Sequence, residues 1–415
     1  MTNTANARFA LVLLTALNFI NYVDRNVLFA VQPLIQREFH VDDAKIGFLT
    51  TAFFFCYMIA APLITPLADR YPRKWIMAIG AILWSVATLL SAVTKNYDEL
   101  LLRHLIVGIG EATFVVFAPA FLSDLFPEKM RGRVLGLFYL SLPVGSAVGY
   151  MVGGYLGHHF GWRVPFLVGA FPGLLLALGM TFVREPQRGI CDELPNTLER
   201  GTFLGLLRNK GYWTVSLGMA MMTFAVGGMQ VWMPTFLVRV HGIQLDTANL
   251  VFGGITVFAG TVATLFGGWL GDRLVRRTPA GYLLVSAVGM LGSIPFVVAA
   301  IYLAGNNVVF GAILIGEFLI LLNTAPLNAA LVNSVSASIR ATAIAVNLFV
   351  IHMLGDAFSP TLIGYISDRT NLKTGMIAMI VAVVLSGVIL LYGMRFAPQL
   401  PDLPAGSGLA EGETA

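Results

Sequence analysis

Asn18-Phe19-Ile20-Asn21-Tyr22-Val23-Asp24-Arg25-Asn26 lies inside an apolar run from about residue 9 to about residue 34. Two opposite charges therefore sit where hydrocarbon would be. An ionisable residue near mid-membrane costs roughly 2.5–3.5 kcal/mol on insertion scales, so it faces inward, is paired or is used. On a helix, Asn18, Asn21, Arg25 and Gln32 follow i, i+3, i+7, i+14 spacing and share one stripe, with Asp24 beside it. Adjacent residues do not face each other, so Asp24 and Arg25 are placed to meet partners on other helices. The competing reading is an Asp and an Arg near a helix end, snorkelling to the interface.

Composition decides that the run is one of many. Of 415 residues, 57% are hydrophobic and only 12% charged, and the mean hydropathy of +0.78 excludes an ordinary soluble globule. Apolar runs fall near residues 9–36, 46–68, 75–94, 99–126, 134–158 and 163–183, then 213–238, 247–271, 280–304, 307–334, 341–367 and 374–395. The fold class is an all-α membrane protein of twelve transmembrane helices in two six-helix halves. Twelve spans of ~20 residues leave short loops and no room for an ATPase or soluble catalytic domain, so energy must come from a gradient. The first run is too long for a signal-peptide core and is read as a retained span.

The halves are residues 1–183 and 213–395, joined by a linker at 184–212 and followed by a tail at 396–415. Phe203, Leu204, Leu206 and Leu207 in the linker predict a short helix lying on the membrane surface. Placing both termini in the cytoplasm gathers most of the Lys and Arg, including Arg70, Arg73, Lys74, the linker cations, Arg273, Arg276 and Arg277, on that side. The opposite side keeps only Arg37, Lys45, Lys95, Arg163, Arg239, Arg369 and Lys373, which sets the orientation in an inner or plasma membrane. The net charge of +4 thus reports topology, not nucleic-acid binding. Two cysteines, Cys56 and Cys191, predict no disulfide framework and no thiolate metal site; no cofactor is expected.

The halves repeat. Leu67-Ala68-Asp69-Arg70-Tyr71-Pro72-Arg73-Lys74 after the second span is echoed by Leu270-Gly271-Asp272-Arg273-Leu274-Val275-Arg276-Arg277 after the eighth. Gly110-Glu111 followed by Ala118-Pro119 is echoed by Gly316-Glu317 followed by Ala325-Pro326. A duplicated six-span unit places the substrate at the midplane between halves that rock against one another. Asp69, Arg70, Arg73, Asp272 and Arg273 are the expected gating residues, with the acids holding helix ends by backbone and Arg contacts. Neutralising Asp69 is expected to loosen the outward-open state.

The Leu-Ala-Asp-Arg-x-x-Arg-Lys loop resembles the signature between spans two and three of the major facilitator superfamily, with Thr65 and Pro72 where glycines are usual. Asn21-Tyr22-x-Asp24-Arg25, Arg103 to Gly108-Ile109-Gly110-Glu111-Ala112, and Pro143-Val144-Gly145-Ser146-x-x-Gly149-Tyr150 look like the spinster branch, in a bacterial-type homologue. His352-Met353-Leu354-Gly355-Asp356-Ala357-x-Ser359-Pro360 is the discriminating string, because the first element is also similar to that of proton-coupled organic-anion and sugar-acid symporters. The resemblance implies transport of sphingosine phosphate, lysolipids or similar amphiphiles, and a proton switch at Glu111.

Glu111 follows Arg103 by eight residues, about 12 Å along a helix and roughly on the same side. Apolar enclosure favours a neutral carboxyl and a nearby cation favours the carboxylate, so Glu111, with Arg103, either couples a proton or forms a static brace. Asp24 is the second protonation candidate. Arg25 is the anion-binding group, because its fork matches phosphate or carboxylate, with Asn18, Asn21 and Tyr22 around the substrate. His352 and Asp356, at i and i+4, share a face and offer a relay or a structural bond. Glu317 lacks a cation of Arg103's kind and is expected to be a structural acid. Gly145, Gly149 and Gly153 predict close packing of the fifth span on a neighbour. Met219, Met221, Met222, Met229 and Met233, with Phe224 and Trp232, make the seventh span either a pliable tail pocket or plain core.

The expected protein is a monomeric secondary transporter coupling protons to an amphiphilic anion within membrane lipid. The rival is a sugar-acid or other organic-anion symporter using Asn18, Asn21, Gln32, Gln230, Asn323 and Asn347. A membrane-embedded lipid enzyme is disfavoured by six scattered His and no nucleophile–base spacing.

Overall fold

Apolar length alone makes each span a helix, because in hydrocarbon every backbone N–H and C=O must be satisfied within the segment. The computed structural model describes residues 4–187, 203–335 and 339–397, without the side chains of 68, 69, 128, 129, 203, 204 and 341. The first half comprises α1 (Thr4–Phe39), α2 (Asp43–Ile64), the single-turn α3 (Leu67–Arg70), α4 (Arg73–Ser91), α5 (Tyr97–Leu125), α6 (Glu128–Phe160) and α7 (Arg163–Gly179). After the short α8 (Phe203–Arg208) come α9 (Lys210–His241), α10 (Leu245–Val275), α11 (Gly281–Tyr302), α12 (Asn306–Leu321), α13 (Thr324–Asn333), α14 (Arg340–Ile351), α15 (Ser359–Arg369) and α16 (Leu372–Gly393). Counting α12 with α13 and α14 with α15, twelve helices are long and apolar enough to cross a membrane.

Local chemistry sets the ends. Asp42, Asn96, Asn209 and Asn371 cap α2, α5, α9 and α16 by accepting from backbone N–H groups. Gly242, at φ 67°, closes α9 in a left-handed turn that a side chain would strain.

Three breaks depart from the uniform runs in the sequence. Pro66 and Pro72 flank α3, so the first copy of the duplicated element is a separate turn, whereas α10 carries Asp272 and Arg273 without interruption. The tenth span breaks at residues 322–323, where the Asn323 amide donates to the Ile320 carbonyl at 2.8 Å. The eleventh opens into a π-helical segment at His352–Asp356, with Gly355 at φ −103°, ψ −109°. A Cβ on Gly355 would lie 2.9 Å from the Ala220 carbonyl, so the break is where α9 presses in. α8 forms within the linker as its apolar residues predict, with Leu206 buried.

Within the first half α6 packs on α1: built Cβ atoms would fall 2.7 Å from Phe19 O at Gly145, from Val23 O at Gly149 and from Ala30 Cβ at Gly153. These glycines therefore serve close packing. Met219, Met222, Met229 and Met233 are buried in the second half, and the Trp232 indole donates to Pro360 O at 2.9 Å, so the seventh span is chiefly core.

Across the halves α2 packs on α15 and α6 on α10. The polar bonds that join them gather on the face bearing the ends of α1 and α9 and the starts of α2 and α10. One buried apolar cluster runs continuously there from Val27–Val31 of α1 through Ile46 and Leu49 into Trp232, Phe236 and Phe252. The opposite face carries Arg70, Arg131, Arg273, Arg276 and Arg277.

Backbone contact makes the seal close. A Cβ on Gly47 would sit 2.3 Å from Pro360 O, and one on Gly364 2.3 Å from Asp43 O. Gly47→Val therefore opposes closure of this face and not the opposite state. Overpacking of this kind costs about 1–3 kcal/mol, so the open population is expected to rise about tenfold. Maleimide labelling of Thr361→Cys, in a Cys56→Ser, Cys191→Ser background, should accelerate accordingly; an unchanged rate would remove Gly47 from the seal.

Candidate functional site

Beneath the sealed face, α1, α2, α5 and the π segment converge. Arg25 Nη2 donates to Glu111 Oε2 at 2.5 Å, and Glu111 is wholly buried. The guanidinium also lies over Phe53 (4.8 Å), Tyr22 (5.3 Å) and Phe54 (5.6 Å). Taking two charges out of water is repaid only by good geometry, and removing one partner leaves the other stranded. The pair is thus a strong constraint between α1 and α5 that either a proton or a competing anion can release.

This corrects the cation expected for Glu111. Arg103 makes no ion pair among the described residues, and its Nε is buried without a partner. Two turns of one helix separate Arg103 from Glu111, whereas Arg25 reaches across from a neighbouring helix.

Asp24 is 5% exposed, and both carboxylate oxygens lack a hydrogen-bond partner among the described residues. Its Oδ1 faces α7, 2.4 Å from where a Cβ on Gly169 would stand, and it shares a small cavity with Arg25, His104 and Glu111. Among the described residues Glu111 Oε1 also lacks a hydrogen-bond partner, and the buried Asn21 amide stands beside that carboxylate without a well-formed bond. Unsatisfied groups gathered around one ion pair are costly unless they work with changing partners. Tyr22 and Arg25 are partly exposed.

Across the gap, His352 Nδ1 lies 3.0 Å from Asp356 Oδ1, and its ring stacks on Phe54 at 5.3 Å and meets Tyr57 at 6.0 Å. An aromatic wall of Phe53, Phe54 and Tyr57 therefore separates the Arg25–Glu111 pair from the His352–Asp356 pair. Asn18 does not join this site: its amide donates to Phe138 O and Ser141 Oγ on α6, so it holds two helices together.

The expected gating residues lie on the arginine-rich face. Arg70 is exposed, and the side chain of Asp69 is outside the described residues. Arg73 is buried, bonded to Asp124 at 2.6 Å and to Glu185 at 3.0 Å. Asp272 accepts from the Tyr282 hydroxyl at 2.7 Å, and Arg273 lies over Trp269. None of these contacts crosses between the halves.

Tyr150 donates to Gln230 O at 2.7 Å and Thr51 to Ala357 O at 2.5 Å across the halves, but the charged network on the sealed face is built on Asp43 and Asp368, which the sequence did not single out. Asp43 accepts from Arg239 Nη1 (2.7 Å), Gln36 Nε2 (2.7 Å) and Ser367 Oγ (2.6 Å), while Arg239 also donates to Gln36. Asp368 receives the backbone N–H groups of Asp43 and Ala44, both at 2.8 Å, capping α2 from the other half. Asn249 donates to Ala30 O across the same face. Charges at helix ends 196 residues apart read as loop polarity, and no spacing rule connects them.

Glu317 is 2% exposed, makes no ion pair among the described residues, and lines an apolar cavity with Met229 and Met233 inside the second half. It lines a different cavity from Arg25 and Glu111.

The family profile described as Major Facilitator Superfamily matches residues 14–360. The chain is 37% identical over 377 residues to the sphingosine-1-phosphate transporter SPNS2 of Danio rerio, a match covering 85% of this chain and 74% of that protein. It is 34% identical over 373 residues to protein spinster of Drosophila melanogaster, covering 87% of this chain but only 62% of the fly protein. Among solved structures, a bacterial homolog to the human lysosomal transporter Spinster, in an inward-facing and unoccupied conformation, aligns with a TM-score of 0.87 at 24% identity, over 95% of this chain and 98% of that one. A D-xylose-proton symporter shares the fold at a TM-score of 0.73 and 16% identity, over 96% and 98%. The chain belongs to the Major Facilitator Superfamily and its spinster branch, and is a multi-pass membrane transporter, not an enzyme.

Proposed function

We propose that this transporter is proton-coupled and carries an amphiphilic anion, of lysolipid or sphingoid-phosphate kind, by alternating access. The observation that carries the reading is the buried Arg25–Glu111 pair against an aromatic wall. Arg25 can serve Glu111 or a phosphate headgroup, and protonating Glu111 releases it to the substrate. Asp24, buried and unpaired, is the second proton carrier, and Phe53, Phe54 and Tyr57 receive the apolar portion. His352 and Asp356 relay or orient from the opposite half. The similarity to a protein named for sphingosine-1-phosphate transport supports this substrate class.

The charge distribution supports an inner or plasma membrane with both termini cytoplasmic. The sealed face is then external and the protein is inward-open. Residues 1–183 and 213–395 rock as the two halves of a monomer, with the arginine-rich loops around Asp69 and Asp272 bracing the cytoplasmic side when it closes.

A small sugar acid is less well served. Asn18 bonds to α6, and Asn323 bonds to its own helix, which removes two amides that such a ligand would need. Proteoliposomes under an imposed pH gradient, offered lysolipids, sphingoid phosphates and sugar acids, test the assignment. Gradient-driven flux of the amphiphiles alone is expected; flux of sugar acids alone would transfer the site to small organic anions.

Arg25→Lys keeps the charge but loses the planar fork. A hydrogen bond to a charged group is worth about 1.5–3 kcal/mol, so loss of one predicts about a 10- to 100-fold weaker headgroup affinity, measured by scintillation proximity. Equal affinity would remove Arg25 from direct recognition.

A further inference from the structure

The sealed face carries a second polar constellation, on the α6–α10 seam and away from the Asp43 network. His158 and His159 end α6 in the first half, and Asp246 lies in the first turn of α10 in the second. One ligand atom from each falls within 4.8 Å of the others, and His158 Nδ1 is 3.2 Å from Asp246 Oδ2. We propose that His158, His159 and Asp246 form a zinc-class metal site that bridges the two halves and holds this face closed.

The side chains are arranged as ligands should be. Asp246 Oδ1 accepts from the Thr247 backbone N–H at 2.6 Å, which orients the carboxylate and leaves Oδ2 toward His158. His159 Nδ1 lies 2.9 Å from the Tyr155 carbonyl, so its N–H donates there and Nε2 holds the lone pair. Two imidazoles and one carboxylate select a borderline transition ion over calcium or magnesium, with water completing a tetrahedron. Metal–ligand bonds of about 2.0–2.2 Å set tetrahedral ligand atoms roughly 3.3–3.6 Å apart, a spacing that His158 and Asp246 already meet at 3.2 Å, so only the His159 ring needs to draw in. His158 and His159 are both exposed, and ring contacts with Tyr155 and with each other gather them at this end of α6.

The position gives the ion its effect. α6 and α10 meet along their length through Gly154 against Asn249 and Gly253 against Ala147, so rocking the halves separates this end of the seam. An ion bound by ligands from both halves exists only while the face is closed. At about 100 times its dissociation constant such an ion lowers the open population up to about 100-fold, and transport with it.

The test uses the full-length chain, free of any affinity tag. Equilibrium dialysis with Zn²⁺ is expected to show one ion per chain, lost in His158→Ala and in Asp246→Asn, and Co²⁺ should give the visible bands of a tetrahedral site. In the Thr361→Cys reporter, Zn²⁺ should slow labelling at least tenfold, and Asp246→Asn should abolish that slowing. Normal folding of the Asp246→Asn variant, at a half-buried position, is checked by labelling without metal. Failure to bind Zn²⁺, binding unchanged in both variants, or binding without slower labelling would each overturn the proposal.

Discussion

Glu111→Gln is expected to abolish pH-driven accumulation while leaving substrate exchange across the membrane. One proton per substrate under a one-unit gradient supports up to about a tenfold concentration ratio, and the variant should fall to a ratio of about one. The reason lies in the pair geometry: the carboxylate that holds Arg25 at 2.5 Å is the group whose protonation would free it, and glutamine is permanently in the freed state. Counterflow at equal concentrations needs only binding and rocking, so it should persist. A second readout follows from burial. Stranding one member of a buried pair costs about 3–5 kcal/mol, so the substrate-free variant should melt lower and an anionic substrate should raise its Tm more than in wild type. Full pH-driven accumulation in Glu111→Gln would pass the proton to Asp24, and next to Asp356 with His352.

That pairing also marks the limit of what the chain discloses before it folds. Twelve spans were legible because apolar length is forced by bilayer thickness, and the intramembrane position of Asp24, Arg25 and Glu111 because charge inside such a run is anomalous. Spacing along one helix pointed Glu111 toward Arg103, yet its cation comes from α1, through a helix contact that no local period encodes. The breaks at residues 322–323 and at Gly355 were hidden for a similar reason. Each lies in a stretch apolar enough to continue as one span, and Gly355 is held by contact with Ala220 and Thr223 on another helix. Asn18 shows the converse: the stripe placed it beside Arg25, but Ser141 and Phe138 claim its amide. Gating was sought in the repeated loops because repetition is visible in sequence, whereas the bonds that join the halves lie on the other face.

Those bonds carry the second large expectation. Asp43 is the hub, taking Arg239, Gln36 and Ser367, and only its carboxylate can accept from all three. Asp43→Asn replaces one acceptor oxygen by a donor that faces donors, so it loses hydrogen bonds and introduces a clash of like groups. With Arg239 one-third exposed, screening discounts the ion pair, and a loss of about 1–3 kcal/mol is expected. The bonds from Arg239 and Ser367 cross between the halves and exist only in the closed state, so their loss appears as a shift toward the open face of about 5- to 100-fold. Spin labels on α2 and α15 should show the long-distance population grow, and Thr361→Cys should label faster. Asp368→Asn, which keeps one carbonyl for the α2 backbone, should act in the same direction and more weakly. A double-mutant cycle of Asp43→Asn with Arg239→Gln distinguishes a true cross-half bond from general destabilisation: coupling should be evident in the labelling rate but not in thermal stability. Additive labelling effects, or an unchanged distance distribution in Asp43→Asn, would place the closing force in the apolar seam and the Gly47 and Gly364 contacts instead.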